Sequence, residues 1–483
     1  MAGSLPAATF GACPMNEATS LIAILRNFVD GQVVDTIERV IDEGSDRELC
    51  RINVIAFAEK HGLDEEKTIA GFLHAASVGL FDVSWNVLCP GCGGVLETNA
   101  SLKTVIKEEY VCALCAAGYA PTLDELVEVT FTVSPRIRRI AGHSPEQLPP
   151  LEYLRQMYWG SGLDMPEEGY EQLMEEMVLE HVELPAGEKV VISMQFPAKF
   201  IIVFEPVLHT VQFINVQGEP TKERQNLSLI YDREHTHNQT LEMRPGPVRI
   251  AMENRTDARV LPSVFIADDP LHDMLHKRRT FLTAKRLLTN QTFRDLYRTD
   301  TVDVDQRLKI TSLTFLFTDL RGSTELYERV GDLVAFDLVR AHFQVLNEIV
   351  ASEAGAVVKT IGDAVMATFP TPDRAVAAAL RMREAMRELN ERSGREDLLL
   401  KIGVHEGPCI AVAMNDQQDY FGQTVNIASR VQGLATSQSI FVTASVVDNA
   451  RSASLLAERK IEPISQKTAL RGIEREFQIY AIP

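Results

Sequence analysis

Six polar residues in the last third of the chain have the types and spacing to do chemistry: Asp319, Lys359, Asp363, Asp419, Asn426 and Arg430. Asp319 and Asp363 each stand beside apolar runs, and a carboxylate pair of this kind can hold hard divalent cations together with the phosphate oxygens of a substrate. Asn426 and Arg430 are four apart, so on a helix they share one face. A guanidinium beside an amide suits negative charge that builds on a phosphate during transfer. Lys359 is a donor only and an ionised Asp419 an acceptor only, which fits the N1 acceptor and 6-amino donor of adenine and opposes the matching edge of guanine. The chemistry implied is metal-assisted phosphoryl transfer within a nucleoside triphosphate, ATP in preference to GTP.

These residues need elements to position them. Leu313 to Asp319 is apolar and rich in β-formers, and reads as a buried strand that ends in a carboxylate. In the segment that follows, Gly322 permits close backbone approach and Ser323 or Thr324 can cap a helix, whose free N–H groups suit a phosphate. Ala356 to Phe369 holds two apolar runs around Gly362-Asp363, the pattern of a β-hairpin with a carboxylate at its tip. Lys359 and Asp363 would lie up to ~13 Å apart along an extended arm, so they need not serve one site. Asp419 stands on a loop before the helix that carries Asn426 and Arg430.

With these motifs in this order, the segment from about Ile310 to the C-terminus resembles a class III nucleotidyl cyclase catalytic domain, the adenylate and guanylate cyclase family. The resemblance implies a ferredoxin-like or palm-type βαβ sheet with helices. It implies two Mg²⁺ or Mn²⁺ ions held by Asp319 and Asp363 with the Leu320 carbonyl, base recognition by Lys359 and Asp419, ribose orientation by Asn426 and transition-state stabilisation by Arg430. Arg471, in Leu470-Arg-Gly472, matches a polyphosphate-binding position of the family. The family also implies a head-to-tail homodimer whose active sites are shared, and one chain here carries both halves of the set. The chain departs from the family pattern at Cys409-Ile-Ala-Val-Ala413 and in the Met414–Gln418 loop, which has no Arg or Lys.

The remaining sequence points to a multidomain α+β protein. At 483 residues there is room for about three domains. The formal net charge of −19 opposes broad binding to nucleic acid or anionic membranes. No apolar run is long enough to span a bilayer and no secretory leader is evident, so a cytoplasmic protein is the expectation. Residues 1–86 are helical in pattern and resemble a winged-helix unit with a turn at Gly62. The second helix opens on Asp64, Glu65 and Glu66, the wrong charge for reading DNA. In 87–122, Cys89-Pro-Gly-Cys92 and Cys112-Ala-Leu-Cys115 have the spacing of a structural zinc ribbon. Cys13, Cys50 and Cys409 have no evident partner and read as idle thiols.

Residues 123–270 are mixed and then strand-rich, the pattern of a β-sandwich-like regulatory domain for an unknown ligand or protein. His235 and His237 could share a strand face, but with no third ligand they read as a surface pair. Residues 271–307 read as a connecting, transducing helix, and 308–483 as the catalytic domain. The whole resembles a bacterial cyclase subgroup in which a long domain of unknown function precedes the catalytic domain. The resulting expectation is an adenylate cyclase. The alternatives are a guanylate cyclase, or a catalytically weak nucleotide-binding regulator that acts through partner or DNA contacts.

Overall fold

The computed structural model describes residues 15–105, 107, 109–120, 122–166, 169–232, 240–297, 308–322, 328–393, 398–414, 417–435, 439–473 and 476–483. His235, His237, Cys13, Ser323 and Thr324 lie outside them. The chain divides into two compact units, one of residues 1–98, 111–119 and 130–281, the other of residues 99–110, 120–129 and 282–483.

In the first unit, helices Val54–His61 and Glu65–Ser77 meet at Gly62, whose φ of +64° closes the turn. Asn53 caps the first through Ile55 N (3.1 Å), and Asp64 caps the second through Lys67 N (2.9 Å). The second helix buries Ile69, Phe72 and Leu73, and Phe72 meets Phe57 edge-on at 5.0 Å. Further on, a three-stranded sheet ordered Gln225–Tyr231, Gly246–Asn254, Lys189–Phe196 faces a five-stranded sheet that includes Phe200–Glu205 and Thr210–Val216. Leu227, Leu229 and Ile250 from one sheet and Ile201, Val203 and Ile214 from the other fill a common core. The alternation along Gln225–Tyr231, with Leu227, Leu229 and Tyr231 buried, is that of a strand with one covered face.

The connecting stretch corrects the sequence reading. Its described part is three short helices, Asp269–His276, Ala284–Leu288 and Gln291–Leu296, not one long one. After His276 the backbone pairs with a neighbouring segment instead, through Asp164 N to Lys277 O (3.0 Å) and Arg279 N to Gly162 O (3.0 Å). Thr283 and Asn290 then cap new helix starts, at Arg286 N (3.2 Å) and Phe293 N (3.1 Å).

The second unit is built on an eight-stranded sheet. In chain order its elements are strand β1 (Leu308–Leu320), helix α1 (Asp332–Ser352), β2 (Ala356–Ile361), β3 (Ala364–Phe369), α2 (Pro372–Ser393), β4 (Leu400–Met414), β5 (Gln417–Phe421), α3 (Gln423–Leu434), β6 (Ile440–Thr443), α4 (Ala450–Glu458), β7 (Ile464–Ala469) and β8 (Glu476–Ile482). The strand order is β2-β3-β1-β4-β6-β8-β7, with β5 paired to β4. Only β4–β6 is parallel among these pairs. Leu316 and Leu320 of β1 join a core with Leu346 and Val350 of α1 and Val376 and Met382 of α2. Phe315, on the other face, meets Tyr420 edge-on at 5.6 Å. Burial on both faces is why β1 reads as a continuous apolar run.

Helix α3 lies so close to β4 that a Cβ on Gly403 would sit 2.2 Å from the Gln432 backbone nitrogen. Gly403→Ala should therefore lower the stability of this unit by about 1–3 kcal/mol, as overpacking does. Gly433→Ala, with nothing within 4 Å, should not. Urea unfolding of both variants checks this, and equal midpoints would contradict the close approach.

Candidate active site

The antiparallel register of β1 and β3 pairs Thr318 with Val365, and the β2–β3 turn follows at Gly362-Asp363, with Gly362 at φ +65°. That register brings the turn to the end of β1. Asp363 Oδ2 accepts from Leu320 N at 3.2 Å. Asp319 lies beside it, and its carboxyl is pushed up from the ordinary range by partial burial and then by the neighbouring Asp363 charge. Lys401, opposite Asp319 in the β1–β4 register, approaches its Oδ2 at 3.7 Å, and with the Gln432 side chain it pulls the other way. Two hard carboxylates that converge with only partial compensation are what a divalent-cation pair would satisfy.

Lys359 and Asp419 meet through a different device. The β4–β5 hairpin folds back so that Tyr420 covers Phe315, and Asp419 reaches β2. Lys359 Nζ donates to Asp419 Oδ2 at 2.5 Å, while Asp419 Oδ1 accepts from Tyr420 N at 2.8 Å. Strand β2 carries a bulge between Val357 and Lys359. A bulge re-aims the next side chain, here the lysine. Asp419 is therefore on a strand, not on the loop that the sequence suggests.

Asn426 and Arg430 lie on α3, Asn426 exposed and Arg430 half-buried. The turn of Leu470, Arg471 and Gly472 comes close to Arg430: a Cβ on Gly472 would sit 3.5 Å from Nη2. Arg471 is exposed beside it, and Gly322 follows β1 in a turn at φ +68°. The predicted residues are thus gathered pairwise, as Asp319 with Asp363, Lys359 with Asp419, and Arg430 with the Arg471 turn. Lys401 and Gln432 were missed because only strand pairing and helix packing place them beside Asp319.

The first unit holds the four predicted cysteines together. The Sγ atoms of Cys89, Cys92, Cys112 and Cys115 all lie within 4.8 Å of one another, with Cys89–Cys115 at 3.5 Å and Cys92–Cys112 at 3.6 Å. Gly94 N donates to Cys92 Sγ at 3.4 Å, and a Cβ on Gly91 would meet Cys115 Sγ at 2.8 Å, so the loop is shaped around the sulfurs. Hydrogen bonds among the thiols push Cys89 down, through Cys112 first, and push Cys92 and Cys112 up, so the four share protons as one group whose thiolate form would bind metal. This is the one such His, Cys, Asp or Glu group among the described residues. By contrast, burial pushes Cys50 up to about 11 and Cys409 up to about 12, which keeps both protonated and inert at neutral pH. Among the described residues no helix is long and apolar enough to cross a membrane.

Comparison with known proteins gives a family for each part of the chain. Residues 306–481 match the family described as the adenylate and guanylate cyclase catalytic domain, and residues 15–295 match a family of unknown function, DUF5939. An adenylate cyclase of Anabaena cylindrica is 28% identical over 185 residues, covering 35% of this chain and 36% of that protein. Adenylate cyclase 2 of Rhizobium meliloti (strain 1021) is 30% identical over 178 residues, 33% of this chain and 49% of that protein. Guanylate cyclase 32E of Drosophila melanogaster is 27% identical over 179 residues, 35% of this chain and 15% of that protein. The chain thus spans less than half the length of these curated relatives. The solved adenylyl cyclase CyaB from P. aeruginosa is 25% identical, with a TM-score of 0.33, and aligns over 37% of this chain and 96% of that one.

Proposed function

We propose that this chain, which belongs to the DUF5939 family and carries a class III adenylate and guanylate cyclase catalytic domain, makes cyclic AMP from ATP. Its similar relatives include cyclases of both base preferences, so the choice of base rests on the site. The observation that carries it is the Lys359–Asp419 contact at 2.5 Å. A preformed donor and acceptor at a half-open surface offer adenine N1 a proton donor and its 6-amino group an acceptor. Guanine would face each group with its like, leaving polar groups unpaired.

In this reading, Asp319, Asp363 and the Leu320 carbonyl hold the divalent cations, and two converging carboxylates that are only partly compensated are the fit for them. When bound, the cations supply positive charge to the attacking 3′-oxygen and to the departing pyrophosphate. Asn426 orients the ribose so that the 3′-oxygen lies in line with the α-phosphorus. The O3′–Pα bond forms as the bond from Pα to the β-phosphate bridging oxygen breaks, and the 3′ proton passes to solvent. Arg430 balances charge that grows on the α-phosphate, and Arg471 holds the polyphosphate. Gly322, in the turn at the end of β1, is placed to let the phosphates approach the backbone.

The reading includes a homodimer with shared sites. Phe421, 69% exposed, stands two residues past Asp419, and Ile361, 55% exposed, stands between Lys359 and Asp363. Leu333 and Phe336 are 83% and 60% exposed on α1. Large apolar side chains beside the polar site residues suit a partner surface. Residues 308–483 are the catalytic domain, and 1–307 the regulatory region with its helical, cysteine-cluster and sheet parts. The cysteine cluster binds structural zinc, and the cytoplasm supplies both ATP and a reducing setting for thiolate ligands.

Purified protein given ATP or GTP with Mg²⁺ or Mn²⁺ should yield cyclic AMP from ATP by mass spectrometry, and cyclic GMP from GTP poorly or not at all. Asp363→Ala should abolish turnover while keeping the circular dichroism spectrum. Cyclic GMP as the main product, or an active Asp363→Ala variant, would refute the assignment. If sites are shared, Asp363→Ala chains mixed with Arg430→Ala chains should recover up to about half a wild-type dimer's activity, one good site of two. No recovery in mixed dimers that demonstrably form would argue against sharing. Elemental analysis should find one zinc per chain, and Cys112→Ser should lose it and lower the melting temperature. A wild-type protein purified without zinc yet equally stable would remove the zinc role.

A further inference from the structure

Helix Gln291–Leu296 lies at the end of the region matched by the family of unknown function, and it contacts the backbone on both sides of the base-reading pair. Arg294 Nη2 donates to two carbonyls, Val358 O at 3.3 Å and Gln418 O at 2.9 Å. Val358 is the residue before Lys359, and Gln418 is the residue before Asp419. A single guanidinium nitrogen therefore bridges the two strands at the peptides that carry the two base-reading side chains. Gln291 Oε1 adds a bond from Val357 N at 2.8 Å, the residue at which the β2 bulge begins.

The bridge is costly as a purely structural device. Arg294 Nη1 is buried without a hydrogen-bond partner among the described residues. The residue itself is half-buried, and a buried donor left unpaired costs more than an apolar group in the same place. What the arginine supplies that such a group cannot is a fixed spacing between two carbonyls on different strands. Strand β2 pairs with β3 and β5 with β4, so their mutual position is not set by a ladder.

We infer that Arg294, supported by Gln291, is a positioning residue for nucleotide recognition: it sets the separation of Lys359 and Asp419 and so the affinity and base selectivity of the site. This rests on the reading of Lys359 and Asp419 as the base-reading pair. The helix that carries Arg294 lies in the same compact unit as the two strands and acts on them apart from the carboxylates that would hold metal.

The test uses the full-length chain. Steady-state kcat and KM are measured with ATP and with GTP for wild type, Arg294→Ala, Arg294→Lys, Gln291→Ala, Lys359→Ala and the Arg294→Ala/Lys359→Ala double variant, with melting temperature alongside. Misplacement of recognition groups should raise KM for ATP and lower the ATP-to-GTP ratio of kcat/KM by about tenfold to a hundredfold in Arg294→Ala, with a smaller change of the same sign in Gln291→Ala. In the Lys359→Ala background the arginine substitution should not change the ratio further. Should Arg294→Ala fail to fold, Arg294→Lys, which keeps the charge but loses the planar fork, and Gln291→Ala carry the same comparison. A fall in kcat alike for both nucleotides with the ratio unchanged means a structural role only, and overturns the inference while Lys359→Ala still shifts the ratio. If Lys359→Ala itself leaves the ratio unchanged, the base-reading assignment is at fault, and the inference falls with it.

Discussion

The register of two antiparallel strands is the constraint on which the catalytic unit depends. Because Thr318 pairs with Val365, the two-residue turn after β2 arrives at the end of β1, and Asp363 lies beside Asp319. A slip by one residue would send every side chain of β1 to the opposite face. The slip is prevented by the core, since Leu316 and Leu320 on one face and Phe315 on the other are all buried. Apolar packing thus holds two like charges together, an arrangement that electrostatics alone would oppose. The carboxyl of Asp319 is raised by partial burial first and by that neighbouring charge second.

The Lys359–Asp419 pair is held by a looser device. Its strands are not ladder neighbours, and the salt bridge itself is partly exposed. Its lysine end is exposed, which limits what the Lys359–Asp419 contact contributes to holding β5 against β2. Tyr420 packing on Phe315, and the carbonyls gripped by Arg294, do more of that work. The part of the site that would choose the base is therefore easier to displace than the part that would hold metal. That asymmetry suits a protein whose long N-terminal region ends on the helix doing the gripping.

The first unit follows a different logic. Its apolar sheet faces and capped helices form ordinary cores, while the cysteine cluster concentrates four soft ligands in one loop system. Four sulfurs so close together and shielded from solvent repel as thiolates, so a bound cation is the natural counter-charge. Helix Glu65–Ser77 opens on acidic residues and buries Ile69, Phe72 and Leu73, so it serves this unit as a packing element.

By itself the sequence determined the chemistry on offer and most of the local elements. The strand before Asp319, the hairpin tip at Gly362-Asp363, the helix face of Asn426 and Arg430, the turn at Gly62 and the paired cysteine knuckles were all legible. Each is specified by residues adjacent in the chain: apolar runs, positive-φ glycines, fixed spacings. What only the tertiary structure decided is non-local. Lys401 faces Asp319 because β1 and β4 pair, Lys359 finds Asp419 because a hairpin folds back across the sheet, and Asp419 sits on a strand because that hairpin is long. The connecting segment broke into three helices because Thr283 and Asn290 cap, and Lys277 and Arg279 find strand-like partners more than a hundred residues earlier. Helical periodicity is a local signal, and it cannot announce that a distant backbone will compete for the same hydrogen bonds. For the same reason nothing in the sequence singles out Arg294: its significance lies in two carbonyls that only folding brings within reach of one guanidinium.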